Sequence, residues 1–395
     1  MNMNKIKLAI YLLTIGVFLT ATSELIVSGI IGTISEDLGV SLALAGQLVT
    51  VYSLSFAIGT PVIISLTSRL DRKRMLLASL AVFIAGSLAA WMSPNIAVLM
   101  ISRVILGVSS GVFLVVVFGA AAKIVPPDKI GSAVGTVVLG FSSAMILGIP
   151  IGMAIAEWLN WRAIFLILAL LSIGVAYLIY KLVPTMEGDA AVPFFRQFNV
   201  LGSAVIVSGL LITLFRESGN NLLFTYVIPF IENIFALPAT YSSFVMLLLG
   251  IVGAVGARLG GYCVDRFGAS RVMLVGLAMH AAVISMLPLW AGRAIPGIAF
   301  LSLMVLFMFA TGTAMQSYFI ARAPQSSNLV LSINTSITHL GLALGAGGGG
   351  LVLESTGTLY YHPWLGGLLI GLGMIAASAS IAWGRKKIRV EWSLN

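Results

Sequence analysis

The chain has 395 residues, of which 59% are hydrophobic and only 9% are charged. Soluble domains carry about 25% charged residues, so the composition excludes a soluble globular protein and indicates a chain that faces lipid over most of its length. The formal net charge of +9 is compatible with nucleic-acid binding or with membrane topology, and the single cysteine, Cys263, excludes a disulfide framework.

Apolar stretches of about 20 residues, the length that crosses a bilayer, recur along the whole chain. They predict an all-α integral membrane protein with twelve transmembrane helices and no space for a soluble catalytic domain, so we do not expect an enzyme. The amino terminus runs into the first apolar stretch without a cleavage pattern, which indicates a membrane helix rather than a signal peptide. The predicted spans cover residues 8–31, 44–67, 75–93, 97–123, 131–156, 163–182, 202–231, 240–263, 271–291, 295–320, 328–353 and 364–384.

The basic residues are distributed very unevenly between the two sides of the predicted membrane. When the connections between spans are assigned alternately, seventeen of the 22 lysines and arginines fall on one side, and only Arg162 and Arg293 fall on the other. Basic residues accumulate in cytoplasmic loops, so both termini are predicted to be cytoplasmic in a multi-pass protein of the inner (plasma) membrane. This topology explains the positive charge without nucleic acid as a partner.

The two halves of the chain repeat each other. A polar segment over residues 183–201 predicts a cytoplasmic linker between halves 1–182 and 202–395. A basic loop at Arg69–Arg74 follows the second span, and a basic loop at Asp265–Arg271 follows the eighth. Two such pseudo-symmetric six-helix halves are the usual architecture of secondary transporters, in which the substrate site lies between the halves near the membrane midplane.

Glu24 in the first span and Arg103 in the fourth are charged residues inside apolar helices. A charge at the centre of a membrane helix costs at least about 2.5–3.5 kcal/mol, so such residues indicate a functional site. Apolar surroundings favour the neutral form of a carboxyl group, which makes Glu24 the leading candidate for a proton carrier. The alternative is a carboxylate paired permanently with Arg103 or Arg216. For Arg103, the alternatives are assistance in proton transfer and a structural arginine bonded to helix carbonyls.

Arg216 and Glu217 form a charged pair in the seventh span. Adjacent helix residues point about 100° apart, so we expect one side chain to face the cavity and the other to contact a neighbouring helix. Asn220 follows on roughly the same face. Glu217 is a second candidate for proton coupling, and Arg216 and Asn220 are candidates for substrate binding. The alternative is a solvated pair nearer the cytoplasm.

Four more polar or aromatic side chains in the second half are candidates for substrate binding. Gln316 and Asn334 offer amide groups, His339 offers an imidazole ring, and Tyr226 offers an aromatic face. The alternatives are a hydrogen-bonded structural histidine and core packing of the aromatic ring. The chain has no phosphate-binding G-x-x-x-x-G-K-[ST] sequence and no metal-ligand spacing, so neither ATP, nor a metal, nor another cofactor is predicted.

The loop after the eighth span carries the most specific motif. It contains Gly261, Asp265, Arg266, Gly268 and Arg271, and it resembles the G-x-x-x-D-R-x-G-[RK]-[RK] loop of the major facilitator superfamily. The resemblance implies a conformational role in which the aspartate pairs with basic groups and the arginines anchor the loop.

The corresponding loop of the first half departs from that pattern. Ser68 stands in place of the aspartate and Asp71 in place of the glycine, whereas Arg69 and Arg72 remain as candidates for the same conformational role. In the fourth span, the segment around Arg103 resembles the L-x-x-x-R-x-x-Q-G pattern of the superfamily.

The fifth span carries small residues at i+4 spacing, among them Gly148 and Gly152, with Pro150 between them. This stripe resembles the antiporter motif of drug–proton exchangers. Small residues let helix backbones approach closely, and Pro150 permits a kink, so the stripe is a candidate gate or pivot. Gly341, Gly345 and Gly349 form a comparable stripe in the eleventh span.

Several short strings, including Ser23–Ile30 and Tyr226–Phe230, resemble bacterial purine-base and nucleoside efflux pumps and sugar efflux transporters of the drug:proton antiporter family. The resemblance implies a monomeric, proton-coupled exporter of small organic molecules that works by alternating access. Alternatives are a sugar or multidrug exporter, a facilitator or importer on the same fold, and a transporter-like receptor. Asn220–Asn221 replaces a histidine common in the purine pumps, which predicts different substrate recognition.

Overall fold

The computed structural model describes residues 3–67, 69–126, 129–188, 202–322 and 327–393. These residues are almost entirely helical. The α-helices are α1 (Met3–Leu38), α2 (Leu42–Thr67), α3 (Arg72–Trp91), α4 (Ile96–Ile124), α5 (Ile130–Ser143), α6 (Ile149–Trp158), α7 (Trp161–Leu182), α8 (Ala204–Phe224), α9 (Val227–Asn233), α10 (Ser242–Phe267), α11 (Ala269–Met286), α12 (Ala294–Arg322), α13 (Ser327–Thr356) and α14 (His362–Ser393).

Within the part of the chain that the structure describes, eleven helical stretches are long and apolar enough to cross a membrane. One of them combines α5 and α6. The predicted seventh span, formed by α8 and α9, is not among the eleven, since α8 carries the polar run Arg216–Asn221. With this span included, the prediction of an all-α fold with twelve spans is confirmed.

The fifth span contains a π-helical segment, Ala144–Gly148, between α5 and α6. Pro150 lies in the first turn of α6, directly after this segment. Proline cannot donate a backbone hydrogen bond and its ring clashes with the preceding turn, and a π segment is one way for a helix to accommodate that. The irregularity expected from Pro150 is thus present one turn before the proline.

The seventh span is two helices rather than the single span predicted over residues 202–231. α8 ends at Phe224, and α9 begins at Val227 after Tyr226, whose backbone is not helical (φ −109°, ψ 23°). Pro229 is the third residue of α9. A proline inside a helix removes one backbone hydrogen bond and its ring clashes with the preceding turn, which favours a restart of the helix just before Pro229.

The chain divides into two compact units, Met1–Phe194 and Phe195–Asn395. In the first unit, α1 packs directly on the small-residue stripe of the fifth span. A Cβ atom built on Gly140 would lie 2.5 Å from the Thr14 carbonyl oxygen, and one on Gly148 would lie 2.4 Å from Thr22 Oγ1. Both distances are too short for any real Cβ atom, so glycine is what permits the contact.

The second unit repeats this arrangement with α8 and α13. A Cβ atom built on Gly345 would lie 2.4 Å from the Ser218 carbonyl oxygen, and one on Gly349 would lie 2.8 Å from the Leu222 carbonyl oxygen. In each unit, therefore, the first helix lies against the glycines of the fifth span of that unit. This close packing fixes the position of the helices that carry Glu24 and Arg216.

Candidate functional site

The first unit has a pocket beside α1 that contains Glu24. The carboxylate shares this pocket with one hydroxyl from the facing helix α4, Ser110, and with the aromatic rings of Phe56 and Phe141; the remaining lining residues are Val17, Thr20, Ala21 and Leu114. Glu24 is 8% exposed, and the Ser110 hydroxyl is buried beside the Tyr52 hydroxyl. The pocket therefore presents one carboxylate and one buried hydroxyl between aromatic faces.

Arg103 is fully buried beside this pocket, and its guanidinium contacts the backbones of two helices. It donates to the carbonyls of Ser23 (2.8 Å) and Glu24 (3.5 Å) in α1 and of Leu48 (3.4 Å) in α2. It also lies 4.3 Å from the centre of the Tyr52 ring. These contacts are those of the structural alternative, in which an arginine holds helix carbonyls. A part in proton transfer stays a prediction.

In the second unit, Arg216 and Glu217 bond to each other. Arg216 Nη1 donates to Glu217 Oε1, and Arg216 Nη2 donates to the Met308 carbonyl of α12 at 2.6 Å. Arg216 thus contacts a neighbouring helix, as one half of the expectation requires. Its guanidinium also meets the Glu217 carboxylate, because long side chains can converge even when their Cβ atoms point apart. The side chains are only 8% and 14% exposed, which disagrees with a solvated pair.

Asn220 extends the Arg216–Glu217 pair by one helical turn. Its Nδ2 donates to Glu217 Oε2 over a long 3.5 Å, and its Oδ1 is buried without a partner among the described residues. Asn221 Nδ2 donates instead to the Glu217 backbone carbonyl at 3.1 Å. Of the two asparagines that replace the expected histidine, Asn220 is thus the one that joins the charged pair.

Asn334 and Tyr226 hold helices of the second unit together in this structure. Thr213 Oγ1 of α8 donates to Asn334 Oδ1 of α13 at 2.6 Å. The Tyr226 hydroxyl donates to the Ala346 carbonyl at 3.1 Å, and its ring is fully buried. Both side chains already have protein partners, and their substrate contacts stay predictions.

His339 and Gln316 lie in different surroundings. His339 is nearly buried in α13 and its Nδ1 bonds the Thr335 carbonyl at 3.0 Å, which makes Nδ1 the protonated ring nitrogen. Gln316 of α12 is exposed. A hydrogen bond to the preceding turn is what the structural alternative for His339 expects, and the substrate roles of both residues stay predictions.

The basic loop of the second unit is reduced to one residue, Gly268, with φ +83°, between α10 and α11. Asp265 lies in the last turn of α10 and makes no ion pair with any residue that the structure describes. Among the residues with described positions, Arg266 contacts its own helix alone, through the Tyr262 hydroxyl (3.4 Å) and the Phe267 ring. Arg271 is exposed in the first turn of α11. The expected pairing of Asp265 with basic groups is not present here.

The basic loop of the first unit is held by a cap that the sequence does not reveal. Asp71 accepts a hydrogen bond from the Arg74 backbone as the N-cap of α3, and its other oxygen accepts one from the Met186 backbone at 2.8 Å. Arg72 is buried, with its backbone N–H bonded to the Met186 carbonyl, whereas Arg69 is exposed. Asp71 therefore has a structural role where the motif would have glycine.

His280 is the buried polar residue that sequence reasoning missed. It lies in α11, is completely buried, and has no hydrogen-bond partner for either ring nitrogen among the described residues. The available signal was its position, since it is the one ionisable residue of the apolar ninth span beyond Arg271, the first residue of that span. Ser110 and Thr20 at the Glu24 pocket were also missed, because isolated hydroxyl residues are common in membrane helices.

Comparison with known proteins identifies the family. A sequence model of the Major Facilitator Superfamily matches residues 13–346. The MFS-type transporter YbcL of Bacillus subtilis is 35% identical over 93% of this chain and 94% of its own length. The putative transporter AraJ of Escherichia coli strain K12 is 28% identical over 96% of both chains.

Solved structures agree on the fold. A bacterial homologue of the human lysosomal transporter Spinster, in an inward-facing and occupied conformation, superposes with a TM-score of 0.77 at 15% identity, covering 98% of both chains. Its unoccupied form gives a TM-score of 0.74 over 97% of this chain and 96% of its own. The family match and the helical architecture lead to the same conclusion. The chain belongs to the Major Facilitator Superfamily and is a multi-pass membrane transporter.

Proposed function

We propose that this transporter is a proton-coupled exporter that exchanges protons for a small organic molecule by alternating access. The observation that carries the proposal is the position of Glu24, a nearly buried carboxylate that lines a pocket inside a membrane helix bundle. A carboxylate in such surroundings can be neutralised by a single proton, and intramembrane carboxylates of this kind are typical of proton-driven transport.

Coupling follows if the proton and the substrate compete for the same pocket. A protonated Glu24 removes the charge from the pocket and favours one orientation of the two halves, whereas the ionised form favours substrate binding and the other orientation. Arg103 keeps α1, α2 and α4 together during this change through its carbonyl contacts. The glycine stripe at Gly148 and Gly152, against α1, provides a close-packed pivot.

In this structure the pocket admits only a water-sized molecule, so substrate enters it after the surrounding helices have moved apart. The chemistry of its lining then favours a planar or cationic organic substrate. The rings of Phe56 and Phe141 offer aromatic faces, and the Glu24 carboxylate and Ser110 hydroxyl offer hydrogen-bond acceptors. Purine bases and nucleosides have planar rings that can stack on these faces, and cationic drugs have a positive charge that suits the carboxylate. A sugar is the weaker candidate because it has no planar ring. We place the protein in the bacterial cytoplasmic membrane as a monomer with both termini cytoplasmic.

The test uses the purified protein in liposomes that contain a pH-sensitive dye. Candidate substrates are first selected by their stabilisation of the protein against heat, with nucleobases, nucleosides, sugars and cationic drugs as probes. The pH inside the liposomes is then expected to change in step with substrate movement, and Glu24→Gln is expected to abolish this coupling.

Glu36→Gln is the matched control, because Glu36 lies in the same helix but is exposed. This variant is expected to couple like the wild type. Transport that continues unchanged after the proton gradient has been collapsed would show a facilitator instead. Wild-type pH dependence in Glu24→Gln would remove Glu24 from the proton-carrying role.

A further inference from the structure

His280 of α11 is completely buried, and neither ring nitrogen bonds to a residue that the structure describes. A neutral imidazole has one N–H donor and one lone pair that accepts. Buried polar groups are nearly always hydrogen-bonded, so an unpaired imidazole in the middle of a helix bundle requires an explanation.

α11 and Arg216 meet the same part of α12. A Cβ atom built on Gly276, one turn before His280, would lie 2.5 Å from Thr311 Oγ1, and one built on the next residue, Gly312, would lie 3.1 Å from Arg216 Nη2. The charge of Arg216 also acts on the His280 imidazole.

Arg216 uses Nη1 for Glu217 and Nη2 for the Met308 carbonyl, but its buried Nε–H is unpaired. The Oδ1 of Asn220, one turn along α8, is a buried acceptor without a partner as well. One unpaired donor on Arg216 is therefore accompanied by two unpaired acceptors on neighbouring side chains.

The other helices packed against α11 contribute no charge beside His280. On the side of Glu217, α13 packs through Gly341 and carries the ionisable His339 two residues earlier. α12 has no charged residue between Ala294 and Ala321, and α14 has none between Pro363 and Gly384. α10, which also packs against α11, carries Arg258, Asp265 and Arg266 on its exposed surface. The ionisable groups that face His280 are thus Arg216 and its partner Glu217.

Gly312 of α12 has no side chain, which leaves room for the Arg216 guanidinium. A Cβ atom built on it would lie 3.1 Å from Arg216 Nη2, one helical turn beyond the Met308 carbonyl that this nitrogen bonds. The guanidinium therefore lies within the bundle of α8, α11 and α12, where it depends on protein groups for hydrogen bonds.

We propose that His280 and Asn220 are the alternative acceptors for Arg216, used when Glu217 takes up a proton during transport. In that step a proton binds the Glu217 carboxylate, the ion pair between Glu217 Oε1 and Arg216 Nη1 is lost, and Arg216 keeps all its protons. The guanidinium then donates to the imidazole lone pair and to Asn220 Oδ1. His280 is a positioning residue that acts through Arg216, and the inference rests on the proposed proton coupling.

A double-mutant cycle in thermal stability tests the exchange of partners. Glu217→Gln imitates the protonated carboxyl, and His280→Leu removes the alternative acceptor. His280→Leu alone is expected to change the melting temperature little, whereas in the Glu217→Gln background it should lower it by about 2 °C or more beyond the sum of the single changes. His280→Gln, which keeps an acceptor oxygen, should restore additivity.

The control for the cycle is Glu354→Gln, which neutralises an exposed carboxylate of α13. His280→Leu should be additive with this change. Additivity with Glu217→Gln as well would overturn the proposal.

A spectroscopic measurement decides the question even if the double variant does not fold. The chain has only three histidines, so nitrogen NMR of the histidine rings in the full protein in lipid nanodiscs can be assigned by single substitutions. Glu217→Gln is expected to shift the acceptor nitrogen of His280 to the position of a hydrogen-bonded ring. An unchanged His280 spectrum would overturn the proposal, whereas failure of the Glu24→Gln test would bear on the proposed coupling alone.

Discussion

Arg162 of α7 places its Nη1 2.6 Å from Oδ2 of Asp37, near the end of α1. The same carboxylate oxygen accepts a hydrogen bond from the Trp161 indole at 3.1 Å, and Arg162 Nε donates to the Ser93 carbonyl at 3.1 Å. The Arg162 guanidinium also lies 4.3 Å from the centre of the Trp161 ring. A single arginine therefore joins the end of α1, the connection between α3 and α4, and the start of α7.

We predict that Arg162→Ala lowers the stability of the protein by about 1–2 kcal/mol. The pair with Asp37 is partly exposed and contributes at most about 1 kcal/mol, and the hydrogen bond to Ser93 adds about as much. Thermal unfolding in detergent measures the change. Arg293→Ala is the control, since Arg293 is exposed and its side chain contacts no described residue through a hydrogen bond or ion pair. Equal melting temperatures for the two variants would contradict the role of Arg162.

We predict opposite effects for two glycines of the same helix. A Cβ atom built on Gly345 would lie 2.4 Å from the Ser218 carbonyl oxygen, whereas one on Gly348 would meet nothing within 4 Å. Gly345→Ala should therefore destabilise by about 1–3 kcal/mol through overpacking. Gly348→Ala should be neutral or stabilise by up to about 1 kcal/mol, because alanine favours the helix.

Thermal unfolding of both glycine variants, compared with the wild type, provides the measurement. The close packing of α13 on α8 would be refuted if Gly345→Ala were as stable as Gly348→Ala. Transport should also be slower in Gly345→Ala if the stripe acts as a pivot.

We predict that Arg103→Lys destabilises the protein by about 1–3 kcal/mol without changing the pH dependence of transport. Lysine keeps the charge, but an ammonium cannot reproduce the fork that reaches the carbonyls of two helices. The measurement is thermal stability together with transport per folded molecule over a pH range. Arg258→Lys serves as the control on an exposed helix surface. An altered pH profile in Arg103→Lys would support proton transfer by Arg103 instead of the structural role.

The helices are the part of the structure that the sequence predicts best. Apolar runs and charged loops define the spans directly, because the membrane restricts a crossing chain to helices of a set length. The glycine stripes could also be predicted, since i+4 spacing of small residues has one main physical use in a membrane. The break before Pro229 was missed, because apolar composition alone does not separate one helix from two.

The partners of polar side chains were much harder to predict. Asp71 bonds the backbone of Met186, 115 residues later, and no local pattern indicates that contact. The convergence of Arg216 and Glu217 depends on side-chain rotamers, not on helix geometry. The unpaired state of His280 depends on which helices surround α11. Sequence reasoning therefore identified the charged residues of the site but not their geometry.

We predict that Tyr226→Phe lowers stability by about 1 kcal/mol. The Tyr226 hydroxyl donates to the Ala346 carbonyl, and the Tyr226 ring packs edge-on against His362. His362 Nε2 in turn donates to the carbonyl of Gly349, which lies one turn after Ala346 in α13. The substitution removes one hydrogen bond and keeps the ring, so the packing against His362 remains.

The same variant separates the structural role of Tyr226 from substrate binding. If the hydroxyl serves only α13, the melting temperature falls while ligand-induced stabilisation by the best probe stays as in the wild type. If the hydroxyl binds substrate, that stabilisation is lost at unchanged ligand concentration. Asn220→Ser is the comparison, because Asn220 keeps an unpaired Oδ1 in this structure and its loss should weaken a ligand that uses the second unit. The fully buried ring and satisfied hydroxyl of Tyr226 favour the first outcome.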